Sequence, residues 1–548
     1  MNRHLTHLIN VAIASVTLLL PLSGVFAADP PSAGAIKDPF KQAPLQVPKG
    51  TLPAPVAPAE KADKPQPPKS DKRISVRKFK ISGNTLFKTE QLLDQIRELV
   101  GKQLTLEEIY AAADILTDFY RSKGFSLANV IVPAQRVSFG IIELQVIEGR
   151  ISNVAFAGNK KYSNEFLNDY LDEERLGKAV SLDSLERELL LLNDLPGLTS
   201  RAVIRPGKEL GSSEILLTSK EKPYSGRITL NNFGREEVGQ WRVETEFSLL
   251  NPFGLGDQLT FGITKAEAGL LDFFNFAYSL PVGSQGARLG LTAAFIDYEV
   301  GEEFRVLDIK GLNRSYQLTY SHPYKRSRKQ NILLGASVLH NESRTSTLDV
   351  TTTNTEISLL ELSVLLNQVH NDNSVTTASA AFATNFREND GGDDTGLETK
   401  LTLDIAHVRP LIDKWSLFAR ASAVLATDEL PDTQKFSIGG QGSIRGFPSS
   451  EVRGDEGIQT TLELRRAFIL GESTPATFKA FHDIGKVYRK KPAGEETTES
   501  LSSFGVGLSL IPTRNWSVDM EYVLSTNNHE ASDGEDVGRY WFNTSVTF

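Results

Sequence analysis

Two periodicities of apolar residues divide this chain, and the change from one to the other falls near Tyr224. Between Ile74 and Lys222 several windows repeat at the spacing of a helix face, as at Leu92, Leu93 and Ile96 and again at Phe166, Leu167, Tyr170 and Leu171. From Tyr224 to Phe548 the helical spacing is gone, and short runs alternate apolar with polar or small residues between turn-forming stretches. In one run Val243, Thr245, Phe247 and Leu249 share a face against Glu244, Glu246 and Ser248. In another, Phe274, Phe276, Tyr278 and Leu280 oppose Asn275, Ala277 and Ser279. That pattern suits barrel strands with lipid on one face and water on the other. Sixteen runs can be placed, the first near Gly226, the eighth near Glu356, the fourteenth near Ser502 and the last near Arg539.

Join lengths agree with the count. Tight joins, such as Asn251 to Asp257, Ile412-Asp413 and Thr513-Arg514-Asn515, follow even-numbered runs. Long polar joins, such as Arg387 to Gly396 and Asn527 to Gly538, follow odd ones. An even number of strands returns both ends of a closed barrel to one side. The final run sets Tyr540, Phe542, Val546 and the terminal Phe548 on one face, with Thr544 as a less apolar member. A soluble β-sandwich would leave alternation over this whole length, and its aromatic end, unexplained.

Ahead of Tyr224 the chain repeats itself. Phe79-Lys80-Ile81-Ser82-Gly83-Asn84 returns as Val154-Ala155-Phe156-Ala157-Gly158-Asn159. Each copy continues through two helices, the second opening at Thr105 or Ser181 as N-cap, with Glu108 completing a capping box in the first copy. Each closes with two strands, Leu127 to Val132 and Ile141 to Ile147, then Ala202 to Arg205 and Glu214 to Thr218. Two small β-α-α-β-β domains are expected, over 73–150 and 151–222, with the barrel over 223–548. Sheets this small expose an edge, which is either a template for an extended peptide or covered by its neighbour.

The N-terminus carries Arg3, an apolar run from Leu8 to Leu20 and Val25-Phe26-Ala27 before Ala28, which reads as a cleaved secretory signal over 1–27. The alternative, a membrane anchor, would need about 20 apolar residues, more than this run supplies. Later insertion must use strands, because a closed barrel is the other way to satisfy every backbone group in lipid. From Ala28 to Lys72 prolines such as Pro53, Pro55, Pro58, Pro65, Pro67 and Pro68 predict an extended, mobile tether with neither helix nor core contacts.

Composition acts mainly by exclusion. A net charge of -9 over 548 residues argues against nucleic acid as a partner. Cysteine is absent, which removes disulfides, thiolate metal sites and thiol catalysis and is compatible with an oxidising compartment. There is no nucleophile elbow, no H-E-x-x-H and no Walker loop. Gly440-x-Gly442-x-x-x-Gly446 is one residue out from a dinucleotide fingerprint and lacks the strand-to-helix setting. His482 beside Asp483 suggests a triad only until alternation is considered, since neighbours in a strand face opposite ways. Asp390, Asp393 and Asp394 lie among glycines and could hold calcium, although a solvated loop is the simpler reading. Neither an enzyme nor a cofactor is expected.

The long join 427–456, between the eleventh and twelfth runs, crowds Gly439, Gly440, Ile444, Arg445, Gly446 and Phe447 into one loop. Glu463 and Arg465 follow on the next run, and Phe481, Asp483 and Gly485 share the lumenal phase of the thirteenth. These pieces resemble the inward loop and wall motifs of the two-partner secretion transporters, with Ile444 where valine is usual. The stretch from Val130 to Ile151, with Pro133, Gln135 and Glu148-Gly149, is similar to the POTRA domains of the same family. The resemblance implies a sixteen-stranded outer-membrane barrel behind two periplasmic POTRA domains, exporting a large adhesin- or haemolysin-like partner in unfolded form. It implies that the loop folds into the pore, that Arg445 meets Asp483, and that Phe548 ends an insertion signal read by the barrel assembly machinery. Outer-membrane lipid is the surrounding partner. The alternative is an outer-membrane barrel assembly or insertion factor, though those usually carry more POTRA domains. Some members of the family begin with a pore-plugging helix, but no helical stripe is visible between Ala28 and Lys72.

Overall fold

The computed structural model describes residues 31–37, 56–57, 72–171, 181–390, 398–490, 497–527, 529–534 and 538–548. The expected signal over 1–27 and the acidic pair Asp393 and Asp394 lie outside the described residues. Contacts divide the chain into two units, one mainly Thr51–Lys222 and the other containing the barrel.

In the first unit the sequence repeat is a structural repeat. The strand Ile141–Ile147 lies between Lys78–Ser82, to which it is parallel, and Asn129–Ile131, to which it is antiparallel. Ser212–Glu221 lies likewise between Arg150–Ala157 and Leu198–Pro206. Helices Thr89–Gln95 and Leu106–Ser122 bury Leu92, Leu116 and Tyr120, together with Ile96 just past the first helix, in one core with Phe79 and Leu144. The capping box forms as expected: Thr105 Oγ1 accepts from the Glu108 amide at 3.2 Å, and Glu108 Oε2 accepts from the Thr105 amide at 2.7 Å. Ser181 precedes the helix Leu182–Asn193 but makes no side-chain capping bond.

The repeated Gly-Asn has a backbone cause. Gly83 and Gly158 take φ of 81° and 84°, and a Cβ there would stand 2.3 Å and 2.4 Å from the Val146 and Ser219 carbonyl oxygens. Asn84 and Asn159 then hold the following turns by donating to the carbonyls of Phe87 and Tyr162. A glutamate closes each turn. Glu148 accepts from the amides of Thr85 and Leu86 at 2.7 and 2.8 Å, and Glu221 accepts from those of Lys160 and Lys161 at 2.7 and 2.9 Å. Gln135 exchanges two hydrogen bonds of 2.8 Å with the main chain of Glu143, so its amide extends the ladder past the end of Asn129–Ile131.

Among the described residues, sixteen strands pair antiparallel with their neighbours and close into a barrel, the first, Tyr224–Asn231, meeting the last, Arg539–Thr547. Phe548 exchanges main-chain bonds of 3.0 Å with Gly226 and so extends that closure. Val243, Ile263 and Phe274 are exposed on the outside, while Ser248, Thr264 and Asn341 are buried within. The eighth strand begins at Val350, earlier than alternation suggested, and the fourteenth at Thr497. Residues 350–355 are nearly all threonine and asparagine, so that stretch pairs in the ladder without the apolar face that betrays a strand in lipid.

The tether is not wholly a tether. Val56–Ala57 pairs in parallel with Ala202 and Val203, and thereby occupies one edge of the second small sheet. Within the other unit, Ala33–Lys37 forms a short helix seated in the barrel. Its Ile36 is buried with Val238, Ile296, Tyr298 and Phe304, and the Gly34 amide donates to Asp432 at 2.6 Å. This corrects the expectation of a segment without helix or core contacts. A five-residue helix is too short for a periodic stripe, and its stability comes from the cavity it fills.

Candidate functional site

The join between the eleventh strand, Trp415–Ala426, and the twelfth, Glu456–Leu470, turns inward. Phe436–Ile438 and Val452–Gly454 pair as its two arms, and the residues between them form the tip. Ile444 and Phe447 are fully buried there with Ile438, Val452, Val487 and Leu501. The Gly439 amide donates to Ser443 Oγ at 3.2 Å and the Gly440 amide to the Phe447 carbonyl at 3.0 Å, which folds the tip on itself. Space on the wall is matched to it. A Cβ at Gly485 would lie 3.1 Å from side-chain atoms of both Ile438 and Ile444, and one at Gly446 would lie 2.7 Å from Ser503.

Arg445 stands at the end of this tip with its side chain 5% exposed. Its Nε and Nη2 donate to the two oxygens of Asp483, each at 2.8 Å, a bidentate fork. Nη1 lies 2.9 Å from Glu463 and 3.5 Å from Glu521. The guanidinium also covers the Phe481 ring, 3.3 Å from its centroid. Asp483 accepts further from Thr461 at 2.9 Å and Ser503 at 3.4 Å. Arg465 pairs with Glu463 at 2.5 Å, and Lys479 with Glu521 at 2.6 Å. Arg445, Arg465 and Lys479 thus balance Asp483, Glu463 and Glu521. Removing one member of a buried set like this leaves an uncompensated charge, at a cost of about 3–5 kcal/mol.

The residues singled out in the loop and on the wall therefore converge, whereas Phe548 lies apart on the closing strand pair. His482 points outward and is exposed, away from the cluster. Sequence reasoning missed Glu521, Lys479, Thr461 and Trp541. Lys479 sits two residues before Phe481 and so shares its lumenal phase, a usable signal, but nothing local pairs Glu521 or Trp541 with Arg445. Among the described residues no group of three or more His, Asp or Glu is arranged to hold a metal ion.

Comparison with known proteins gives a consistent pattern. The family described as "Haemolysin secretion/activation protein ShlB/FhaC/HecB" matches residues 211–510, and "POTRA domain, ShlB-type" matches residues 74–149. The heme/hemopexin transporter protein HuxB of Haemophilus influenzae (strain 86-028NP) is 22% identical, with 84% of each chain covered. The hemolysin transporter protein ShlB of Serratia marcescens is 25% identical, with 80% of each covered. The solved structure of CdiB from Escherichia coli shares the fold with a TM-score of 0.72 at 21% identity, covering 91% of this chain and 94% of that one.

Proposed function

This chain belongs to the haemolysin secretion/activation protein family, and from that membership we propose that Arg445 and Asp483 form the latch that keeps its lumen shut between export events. The barrel is an outer-membrane translocation pore that passes a partner protein to the cell surface, with its POTRA domains in the periplasm.

One observation carries the latch: a bidentate, buried ion pair joins the tip of an inward loop to the wall. Ion pairing suits an element that must both hold and let go. At ~4 Å two unit charges attract by about 4 kcal/mol at an effective dielectric of 20 but only about 1 kcal/mol in bulk water. A closed, poorly hydrated lumen strengthens the pair, and water that follows a shifting tip weakens it. Apolar packing has no such dependence, so a purely apolar tip would resist hydration of the lumen instead.

The cargo passes unfolded, since a folded protein would not clear a sixteen-stranded lumen. Folding of the cargo outside supplies the drive, and the POTRA sheet edges other than the one held by Val56–Ala57 offer it main-chain pairing. The protein is a conduit and not an enzyme. Lipid surrounds the exposed apolar faces, and the barrel assembly machinery reads the terminal strand ending at Phe548.

Secreted partner protein, normalised to barrel abundance in the outer membrane, tests the latch. Arg445→Ala and Asp483→Ala should each impair export, and the reversed pair Arg445→Asp with Asp483→Arg should restore part of it, because the charge sum returns but the fork does not. Normal export by both single variants would remove the role assigned to the pair.

A further inference from the structure

A second polar cluster lies along the return limb of the inward loop, beyond the latch. The Glu451 side chain is 2% exposed, and its two carboxylate oxygens accept from the amide and hydroxyl of Ser532 at 2.8 and 2.6 Å. His529 lies 3.3 Å from the same carboxylate and sets its ring edge-on to Phe447 in the loop tip. From the other side comes Arg235, also buried. It donates to Ser449 O at 3.1 Å and Ser532 Oγ at 2.8 Å, pairs with Glu237 at 2.8 Å, and stands 3.9 Å from Glu451. Ser449 Oγ completes the set by donating to Phe233 O at 2.9 Å.

The placement of these residues in the fold gives the cluster its meaning. Phe233, Arg235 and Glu237 belong to the join after the first barrel strand, and His529 and Ser532 to the join before the last. Both joins lie at the end of the barrel opposite its termini, hence at the outer mouth, and they flank the strand pair that closes the barrel. That closure is short, running from Arg227 opposite Thr547 to Asn231 opposite Asn543. The loop limb therefore ties together the two joins on either side of it.

We propose that Glu451, acting through Arg235 and Ser532, is an outer anchor of the inward loop, a positioning residue that must release for cargo to pass. The proposal rests on the reading that the loop moves during export. Freeing the Arg445 tip alone leaves the return limb pinned at the outer mouth, across the path of an emerging chain. Buried charge-assisted bonds of this kind stabilise the closed arrangement and are replaced by water once the limb lifts into the solvated mouth.

Because the chain has no cysteine, introduced thiols are the sole sites for a reducible bis-methanethiosulfonate linker, applied to cells whose barrels are already assembled. Glu451→Cys with Ser532→Cys tests the outer anchor. Ser443→Cys with Gln459→Cys, whose native side chains are hydrogen-bonded between tip and wall, tests movement of the loop itself. The expected result is that each linker stops export and that reduction restores it. Export that continues past the outer linker but stops at the inner one overturns the anchor and leaves the moving loop intact. Export past both overturns the moving loop as well. Glu451→Gln adds a measurement that needs no linker. Open probability in planar bilayers should rise about tenfold, the change that follows from weakening hydrogen bonds to a charged group. An unchanged value would argue that the cluster merely shapes the mouth.

Discussion

Trp541, on the last barrel strand, donates its indole N–H to the main-chain oxygen of Arg445 at 2.8 Å, while its ring packs edge-on against Phe233. Arg445 is thus held through its backbone by one wall of the barrel and through its side chain by another. Replacing Trp541 with Phe keeps a ring beside Phe233 and leaves the buried Arg445 carbonyl without that donor. A loss of about 1–3 kcal/mol in the closed arrangement is expected, read as more frequent channel openings in a planar bilayer. Gating identical to the native protein would show that the guanidinium alone positions the tip.

Deleting Phe436 to Val452 removes the tip, the whole first arm and the first residue of the second. Conductance should increase, because the hairpin and its buried Ile444 and Phe447 occupy the lumen. Unaltered single-channel conductance would mean that the current follows a route the loop does not obstruct.

The short helix Ala33–Lys37 should also contribute to closure. Ile36→Asp places a carboxylate in the pocket formed by Val238, Ile296, Tyr298 and Phe304. Burial there is prohibitive for an unpaired charge, so the helix should leave its seat and residues 31–37 become accessible to protease. Protection equal to that of the native chain would place its anchoring in the Gly34–Asp432 bond instead.

The first POTRA domain has an alkaline limit written into Tyr120. Burial and a hydrogen bond to Glu148 push its phenol above the ordinary tyrosine range. The folded state therefore keeps a proton that the unfolded chain gives up near pH 10. This stabilisation is complete below about pH 10 and is lost as pH rises further. Proteolysis of the domain in the full-length protein should accelerate above that pH, and Tyr120→Phe should flatten the dependence. An equally steep profile in Tyr120→Phe would assign the effect to other groups.

Much of the architecture follows from period alone. Alternation sustained from Tyr224 to Phe548 implies strands with lipid outside, and the parity of long and short joins implies an even number of them. Phe481, Asp483 and Gly485 could be assigned to the lumen because strand neighbours must face opposite ways. The repeated Gly-Asn could be read as one turn used twice, since its φ is forbidding to other residues.

What period could not supply were partners distant in sequence. Glu521 and Trp541 reach Arg445 because the join between the eleventh and twelfth strands folds inward against a wall that the thirteenth to sixteenth strands curve to form, a relation that no window of the chain contains. The outer cluster is of the same kind, joining Arg235, Glu451 and Ser532 from three joins. The helix at Ala33–Lys37 was invisible for a different reason. Five residues carry too little propensity to declare a helix, and only the cavity waiting for Ile36 makes that conformation favourable. The sequence by itself determined which faces meet lipid and where the chain turns, because solvent and backbone sterics act locally. Which charges meet in the lumen was decided by the inward fold of the loop against the curved wall, because an ion pair depends on distance in space.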